Sequence, residues 1–473
     1  MVCGCAAKEY KIFCQYDLGA YYYKNSSKFK WTEIDLRLCT HLVYGTGVGV
    51  DGETGEVKVT DEYLLFENDL MSFSSLIRNE ETLFTPTSLF RNEKVDKVLG
   101  TIGGWPEEPS DFSKIAASSA KRERFVETVI EFIYEWRLDG IQIDWRYPTQ
   151  RGGKPGDRMN FVKLLKELKS RIDAHGFILM VAVLGRTDKS TLDCYDIPNV
   201  VKNVHFVNLM FHDNRDPFQM HLGYNAPLAG KNNVIESIML WKKLGKAPAK
   251  LIMNIPLFVR SYLRKKGQTD VGSRSKGPGL MTNLTNKAGF MTYNEWCPQA
   301  GTWMKKFDEQ AQVPYAFKGD HWISYENDRS ISAKMMLLKS QNLGGAMAWT
   351  IDSDDFTGKC GKKHSLERAI LAALEPDRIL VDVEPTTPPP PCPEDGLFPH
   401  SEDCQLYYGC SNGQRFDYEC PWKEFYDAAK FECRPMKEVK CERLEAALAA
   451  KKLRSRSSSL EKSFIVDAKN IES

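Results

Sequence analysis

The stretch LDGIQIDWRYP, Leu138 to Pro148, decides the fold. Side chains alternate across a β-strand. With Ile141, Ile143 and Trp145 on one face, Gly140, Gln142, Asp144 and Arg146 share the other. An apolar core leaves polar groups without partners, so polar residues stacked along a buried strand face mark a site. A strand of this kind suits a closed parallel barrel, whose sites lie at the C-terminal ends of the strands.

Outward from this strand, apolar runs alternate with longer amphipathic stretches from about Lys11 to Ala373. The strand candidates are KIFCQYD from Lys11, THLVYG from Thr40, VLGTIGG from Val98, GIQID from Gly140, FILMVAV from Phe177, VHFVNLMF from Val204, KLIMNIPLF from Lys250 and GGAMAWT from Gly344. Between them, Arg122–Arg137, Arg158–Ala174 and Ile331–Gln341 carry apolar residues at three- and four-residue spacing, the mark of amphipathic helices. Strand–helix units in this order predict an α/β fold, a (β/α)8 TIM barrel. The interval before the last strand is too long for one helix and predicts a small α+β insertion at about 261–322. The barrel region is placed at 1–374. A Pro/Thr-rich linker follows at 375–391, whose TTPPPP run favours an extended spacer. A cysteine-rich module occupies 392–441, and the Ser/Arg-rich tail, 442–473, reads as disordered. The segment Asn79–Glu93, bracketed by a repeated Arg-Asn-Glu, reads as an insertion with no functional account.

Lys+Arg and Asp+Glu number 64 and 63 in the 473-residue chain. That balance gives no electrostatic reason to expect nucleic acid or an anionic membrane as partner. No apolar run reaches the length of a membrane-spanning helix. Cys392, Cys404, Cys410, Cys420, Cys433 and Cys441 fall close together, which reads as a disulfide framework and an oxidising, extracellular compartment. Zinc ligands tend to come as C-x-x-C pairs, and none occurs here. No metal and no cofactor are therefore expected. The N-terminal MVCGCAAKEYKIF has no apolar h-region, so a signal peptide is absent from this sequence. It reads as a mature form, a fragment, or a chain lacking its first exon. Sequons at Asn25 and Asn283 are compatible with secretion.

The signature strand resembles that of glycoside hydrolase family 18, DGxDxDWEYP, agreeing at Asp139, Gly140, Asp144, Trp145, Tyr147 and Pro148. CTHLVY from Cys39, IGGW at Ile102–Trp105, NLMFHD at Asn208–Asp213, IPLFVRSY at Ile255–Tyr262 and GGAMAW at Gly344–Trp349 resemble further family segments in order. The resemblance implies a substrate-assisted reaction, an exception to the two-carboxylate scheme. A glutamic acid protonates the glycosidic oxygen, and the sugar's acetamido group, oriented by an aspartate, attacks the anomeric carbon. Here the glutamate position holds Arg146, the lower aspartate position holds Gln142, and the tyrosine of the family's MTYD holds His212. Gln15 and Val259 are further departures. Arginine stays protonated and has no acceptor, so the motif Asp139, Gln142, Asp144, Arg146 is degenerate and the chain is expected not to be an enzyme. Asp139 reads as structural. Trp105, Asp144, Asp213 and Trp349 are retained, and the resemblance implies a sugar-binding role for them. Arg146 is expected to pair with Asp144 or Asp213 and hold the cleft rigid, or else to fill the central subsite. The resemblance also implies disulfides Cys14–Cys39 and Cys297–Cys360, while Cys194 has no evident partner.

The module resembles the peritrophin-A chitin-binding domain through Asp395-Gly396-Leu397-Phe398-Pro399, Asp403-Cys404, Tyr407-Tyr408, Cys410, Cys420-Pro421 and Phe425. That implies first–third, second–sixth and fourth–fifth disulfides. Tyr407, Tyr408, Phe416, Phe425 and Tyr426 are its candidate sugar-stacking residues. The expectation is a secreted, non-catalytic protein, a chitinase-like lectin of arthropod type, whose partner is chitin or its oligosaccharides. Two alternatives stay open. One is a signalling protein on an altered barrel that binds a protein. The other is a residual chitinase using Glu107 or Glu108 as acid.

Overall fold

The structure is a computed structural model that describes residues 9–45, 47–60, 95–105, 108–212, 218, 220–279, 281–378, 380, 392, 394–399, 406–411, 413–420, 424–435 and 438–439. The chain divides into two compact units near residue 380, and each is described by itself.

The first unit is a closed barrel. Its strands are β1 (Lys11–Asp17), β2 (His41–Gly45), β5 (Lys97–Gly103), β6 (Gly140–Asp144), β7 (Ile178–Leu184), β8 (Phe206–Met210), β9 (Leu251–Pro256) and β16 (Gly345–Trp349). A short hairpin, β3 (Val48–Val50) with β4 (Val57–Val59), stands between β2 and β5. Each barrel strand pairs in parallel with its neighbours, in the order β1-β16-β9-β8-β7-β6-β5-β2. This is the predicted α/β barrel. Strands buried on both faces read as near-continuous apolar runs, which is why they stand out in the sequence.

Phe13, Val43, Leu99, Met180, Ile252 and Met347, one from each of six strands, form an inner apolar layer. Residues of the opposite parity meet the helices. Just after β6, Trp145 stacks on Phe112 at 5.5 Å and meets Phe161 edge-on, within the helices Pro109–Ala117 and Asp157–Ala174. That anchors one side of the signature strand and turns its alternate residues inward. Close strand approach also needs small residues. A Cβ at Gly103, where φ is +104, would lie 2.5 Å from the Asp144 carbonyl oxygen. Gly103 at the end of β5 therefore lets the strand close on the site.

Between β9 and β16 the insertion forms an antiparallel sheet of β10 (Phe258–Arg264), β11 (Ser275–Pro278), β12 (Phe290–Thr292), β13 (Met304–Asp308), β14 (Val313–Lys318) and β15 (His321–Ser324). It has its own core around Tyr262, Val313 and Trp322. The disulfide Cys14–Cys39 joins β1 to the start of β2, and Cys297–Cys360 links the insertion to the segment after β16. Cys194 is a buried free thiol. A buried pair, Lys334 with Glu326 at 2.8 Å, sits at the root of the helix Asp328–Ser340. The Asn79–Glu93 segment lies outside the described residues.

The second unit contains a three-stranded sheet of β17 (Gly396–Pro399), β18 (Leu406–Ser411) and β19 (Gln414–Glu419), and a hairpin of β20 (Glu424–Asp427) with β21 (Glu432–Pro435). Disulfides Cys392–Cys410 and Cys420–Cys433 staple it. So small a unit buries little core and relies on such cross-links. Cys404 and Cys441 lie outside the described residues. Among the described residues no helix is long and apolar enough to cross a membrane.

Candidate functional site

The barrel's C-terminal mouth collects the residues of the signature strand. Asp144 ends β6, and Arg146 follows one turn of alternation later on the same side. The Arg146 guanidinium grips the Asp144 carboxylate in a fork: Nε donates to Oδ1 at 2.8 Å and Nη2 to Oδ2 at 2.7 Å. Both are buried, Asp144 at 2% exposure and Arg146 at 7%. Fork geometry is the strong form of a charge-assisted hydrogen bond. Of the two expected partners for Arg146, the structure shows Asp144. Asp213 lies outside the described residues.

Below the pair the barrel holds a ladder of neutral amides. Gln142 Nε2 donates to Thr101 Oγ1 at 3.1 Å and to Gln15 Oε1 at 3.3 Å. Its Oε1 accepts from Asn208 Nδ2 at 3.0 Å. Asn254 Nδ2 donates to Asn208 Oδ1 at 3.1 Å, and Asn254 Oδ1 faces His212 Nδ1 at 3.1 Å. Facing an acceptor oxygen, His212 Nδ1 is the protonated nitrogen. The His212 ring in turn stacks on Trp349, with centroids 4.0 Å apart and planes 16° off parallel. Six polar residues from five strands or their ends thus hydrogen-bond to one another without a charge. A buried network is stable only when its members are satisfied in this way.

Trp349 closes β16 and is partly buried, with Phe258 edge-on at 5.5 Å and the Arg146 guanidinium 5.9 Å from its ring. One of its faces is therefore taken by His212. Trp105, at the end of the IGGW segment, is 59% exposed. Arg151 lies over its ring at 4.4 Å, while Arg151 Nη1 donates to the Arg146 carbonyl oxygen at 3.0 Å. Arg151 adopts φ +48, a left-handed backbone uncommon outside glycine. The chain after the signature strand thus doubles back to set a second arginine against the tryptophan. Asp139 lies at the other end of β6, where it accepts from Lys97 Nζ at 3.1 Å and from the Val98 amide at 3.0 Å. It is a strand-to-strand tie remote from the mouth. Of the suggested acids, Glu108 precedes the helix Pro109–Ala117, and Glu107 lies outside the described residues.

In the small module the aromatics divide by burial. Tyr408, Phe425 and Tyr426 are buried, so their faces are spent on packing. These three of the expected stacking residues therefore lie within the module's own packing. Tyr408 lies between Phe398, 5.4 Å away, and the Arg415 guanidinium, 3.9 Å away. Tyr407 is half-buried, and the side chain of Phe416 is outside what is described. Tyr418, which motif matching passes over, is exposed. Its signal in the sequence is its parity on β19, but exposure is settled only by the sheet's packing.

Two groupings of sulfur and carboxylate, Cys14–Cys39 with Glu367 and Cys297–Cys360 with Asp355, come together within reach of a metal. In both, the sulfurs are tied in disulfides and offer no thiolate.

The site is thus a closed parallel barrel whose C-terminal mouth holds a buried acid, two tryptophans and a hydrogen-bonded interior, and the class of protein follows from comparison with known families. The chain belongs to the glycosyl hydrolases family 18, whose model matches residues 18–354, and residues 392–441 match the chitin-binding peritrophin-A domain. It is 32% identical to "Probable chitinase 2" of Drosophila melanogaster over 74% of this chain and 73% of that protein. The Ostrinia furnacalis Group IV chitinase structure superposes with a TM-score of 0.72 at 32% identity, covering 77% of this chain and 100% of that one. Human YKL-39, described as a pseudo-chitinase with retained chitooligosaccharide binding properties, superposes with a TM-score of 0.68 at 27% identity, over 77% of this chain and 99% of that one. The chain is thus a chitinase-family protein that carries a chitin-binding domain. The expectation that it is not an enzyme is corrected by these relatives: the fly and moth proteins it matches over most of its length are named chitinases, which points to a hydrolase.

Proposed function

We propose that this chain is an extracellular protein that recognises chitin, its small module capturing the polymer and its barrel mouth holding a run of β-1,4-linked N-acetylglucosamine. The observation that carries the reading is the mouth itself: Trp105 and Trp349 flank an acid, Asp144, held in place by the Arg146 fork. Tryptophan rings offer the flat apolar surface that a pyranose face packs against, and binding of chitooligosaccharide by human YKL-39 on the same fold supports this use of the mouth. Disulfides in both units support secretion.

A second activity, hydrolysis, is favoured by the named chitinases among the relatives. Arg146 holds its proton across the physiological range, so hydrolysis by this chain runs with an acid other than residue 146. The test is calorimetric titration of the full chain and Trp349→Ala with chitohexaose, with hydrolysis of a fluorogenic chitotrioside followed in parallel. Saturable binding that weakens in Trp349→Ala supports the reading, and binding that ignores Trp349 removes the barrel mouth from it. Turnover abolished by Asp144→Ala would place hydrolysis at this mouth.

A further inference from the structure

We infer that Tyr418, backed by Tyr407, is the surface of the small module on which an N-acetylglucosamine ring of chitin stacks. The inference rests on the reading that the module binds chitin, and goes beyond it by assigning the contact. Tyr426, Tyr407 and Tyr418 form a column of near-parallel rings: Tyr426 and Tyr407 are 4.5 Å apart at 6°, Tyr407 and Tyr418 5.2 Å apart at 22°. Exposure rises along the column, from 4% at Tyr426 to 46% at Tyr418. Tyr418 is its solvent end.

The strand register explains why the ring is held. Tyr407 on β18 lies directly opposite Tyr418 on β19, so the two share a face of the sheet. Gly409, two residues beyond Tyr407, shares that face. A Cβ at Gly409 would come within 3.0 Å of Tyr418 Cε2 and 3.2 Å of Leu397 Cδ2. The glycine leaves the space the tyrosine ring uses. Tyr418 is thus exposed yet supported on two sides, and such a preset ring loses little rotamer freedom when a ligand covers it. The other face of the sheet is closed, because Phe398 and Arg415 cover Tyr408. A tyrosine also brings a phenolic hydroxyl to the rim of the contact, where sugar hydroxyls lie. One more exposed ring, Phe431, stands at the β20–β21 turn outside the column, which makes it the comparison.

The experiment is retention of the full chain on crystalline chitin, comparing wild type with Tyr418→Ala, Tyr418→Phe, Tyr418→Trp and Phe431→Ala, with near-ultraviolet circular dichroism reporting the fold. Tyr418→Ala is expected to lower the partition constant about tenfold, equivalent to about 1.4 kcal/mol. The two variants that keep a ring, and Phe431→Ala, are expected to stay within about threefold of wild type. Retention of Tyr418→Ala at the wild-type level overturns the assignment and leaves the chitin reading standing. Loss in Phe431→Ala or in Tyr418→Trp also overturns it. A wild-type chain that chitin does not retain overturns both.

Discussion

Removing the Asp144 carboxylate takes the fork's acceptors from the Arg146 guanidinium in the barrel mouth. Arg146 is 7% exposed, and its fork, with bonds of 2.8 and 2.7 Å, ends on Asp144. Taking away one partner of a buried ion pair costs about 3–5 kcal/mol, mostly the penalty of the charge left behind. Asp144→Ala is expected to fall in that range, and Arg146→Ala to be destabilising too, since it leaves Asp144 at 2% exposure. The double variant removes both charges, so its loss should be smaller than the sum of the singles by about 2 kcal/mol or more. Denaturant unfolding of the four proteins, followed by tryptophan fluorescence, closes the cycle. Additive losses, or an Asp144→Ala variant within about 0.5 kcal/mol of wild type, would show that the fork does not hold the mouth.

Two further outcomes can be checked. Arg146→Glu sets a second carboxyl beside Asp144, and neighbouring like charges raise one pKa, so residue 146 gains a proton to give. Hydrolysis of the chitotrioside should rise by roughly 10²-fold, the low end for general acid catalysis, because Gln142 and His212 are unchanged; an unaltered rate would exclude residue 146 from the reaction path. Asp352 carries a separate pH signature: burial first, then the Asp17 charge, push its carboxyl up to about 7 from an ordinary 3.8. Between about pH 4 and pH 7 the folded chain then holds a proton that the unfolded chain has lost, so this group makes stability fall as pH rises through that window. Thermal melts from pH 4 to 8 should show a shallower fall in Asp352→Asn than in wild type, and parallel curves would refute the assignment.

The barrel was legible because its strands are apolar runs: KIFCQYD and GIQID coincide with β1 and β6, and the other runs are off by a residue or two. The inward set Gln142, Asp144, Arg146 was legible from alternation alone. The amide ladder was not. Gln15, Asn208, Asn254 and His212 stand on separate strands or strand ends, and only closure of the barrel brings them onto Gln142. Arg151 was hidden for another reason, since its place over Trp105 depends on a left-handed residue in an irregular loop. In the module, aromatic residue type did not separate Tyr408 from Tyr418, because burial there depends on which face Arg415 and Phe398 cover.

The amide ladder has a direction. From Asn254 through Asn208 to Gln142 each amide nitrogen donates to the oxygen of the next, and at the other end Asn254 Oδ1 accepts a hydrogen bond from His212 Nδ1. Turning one amide over would set oxygen against oxygen, so the members keep their orientation together or lose it together. A carboxylate introduced at position 142 could still accept from Asn208 but would offer Gln15 Oε1 no hydrogen. Residues 15, 142, 208, 254 and 212 are therefore coupled through their hydrogen bonds, and a substitution at one of them changes what its neighbours can donate or accept.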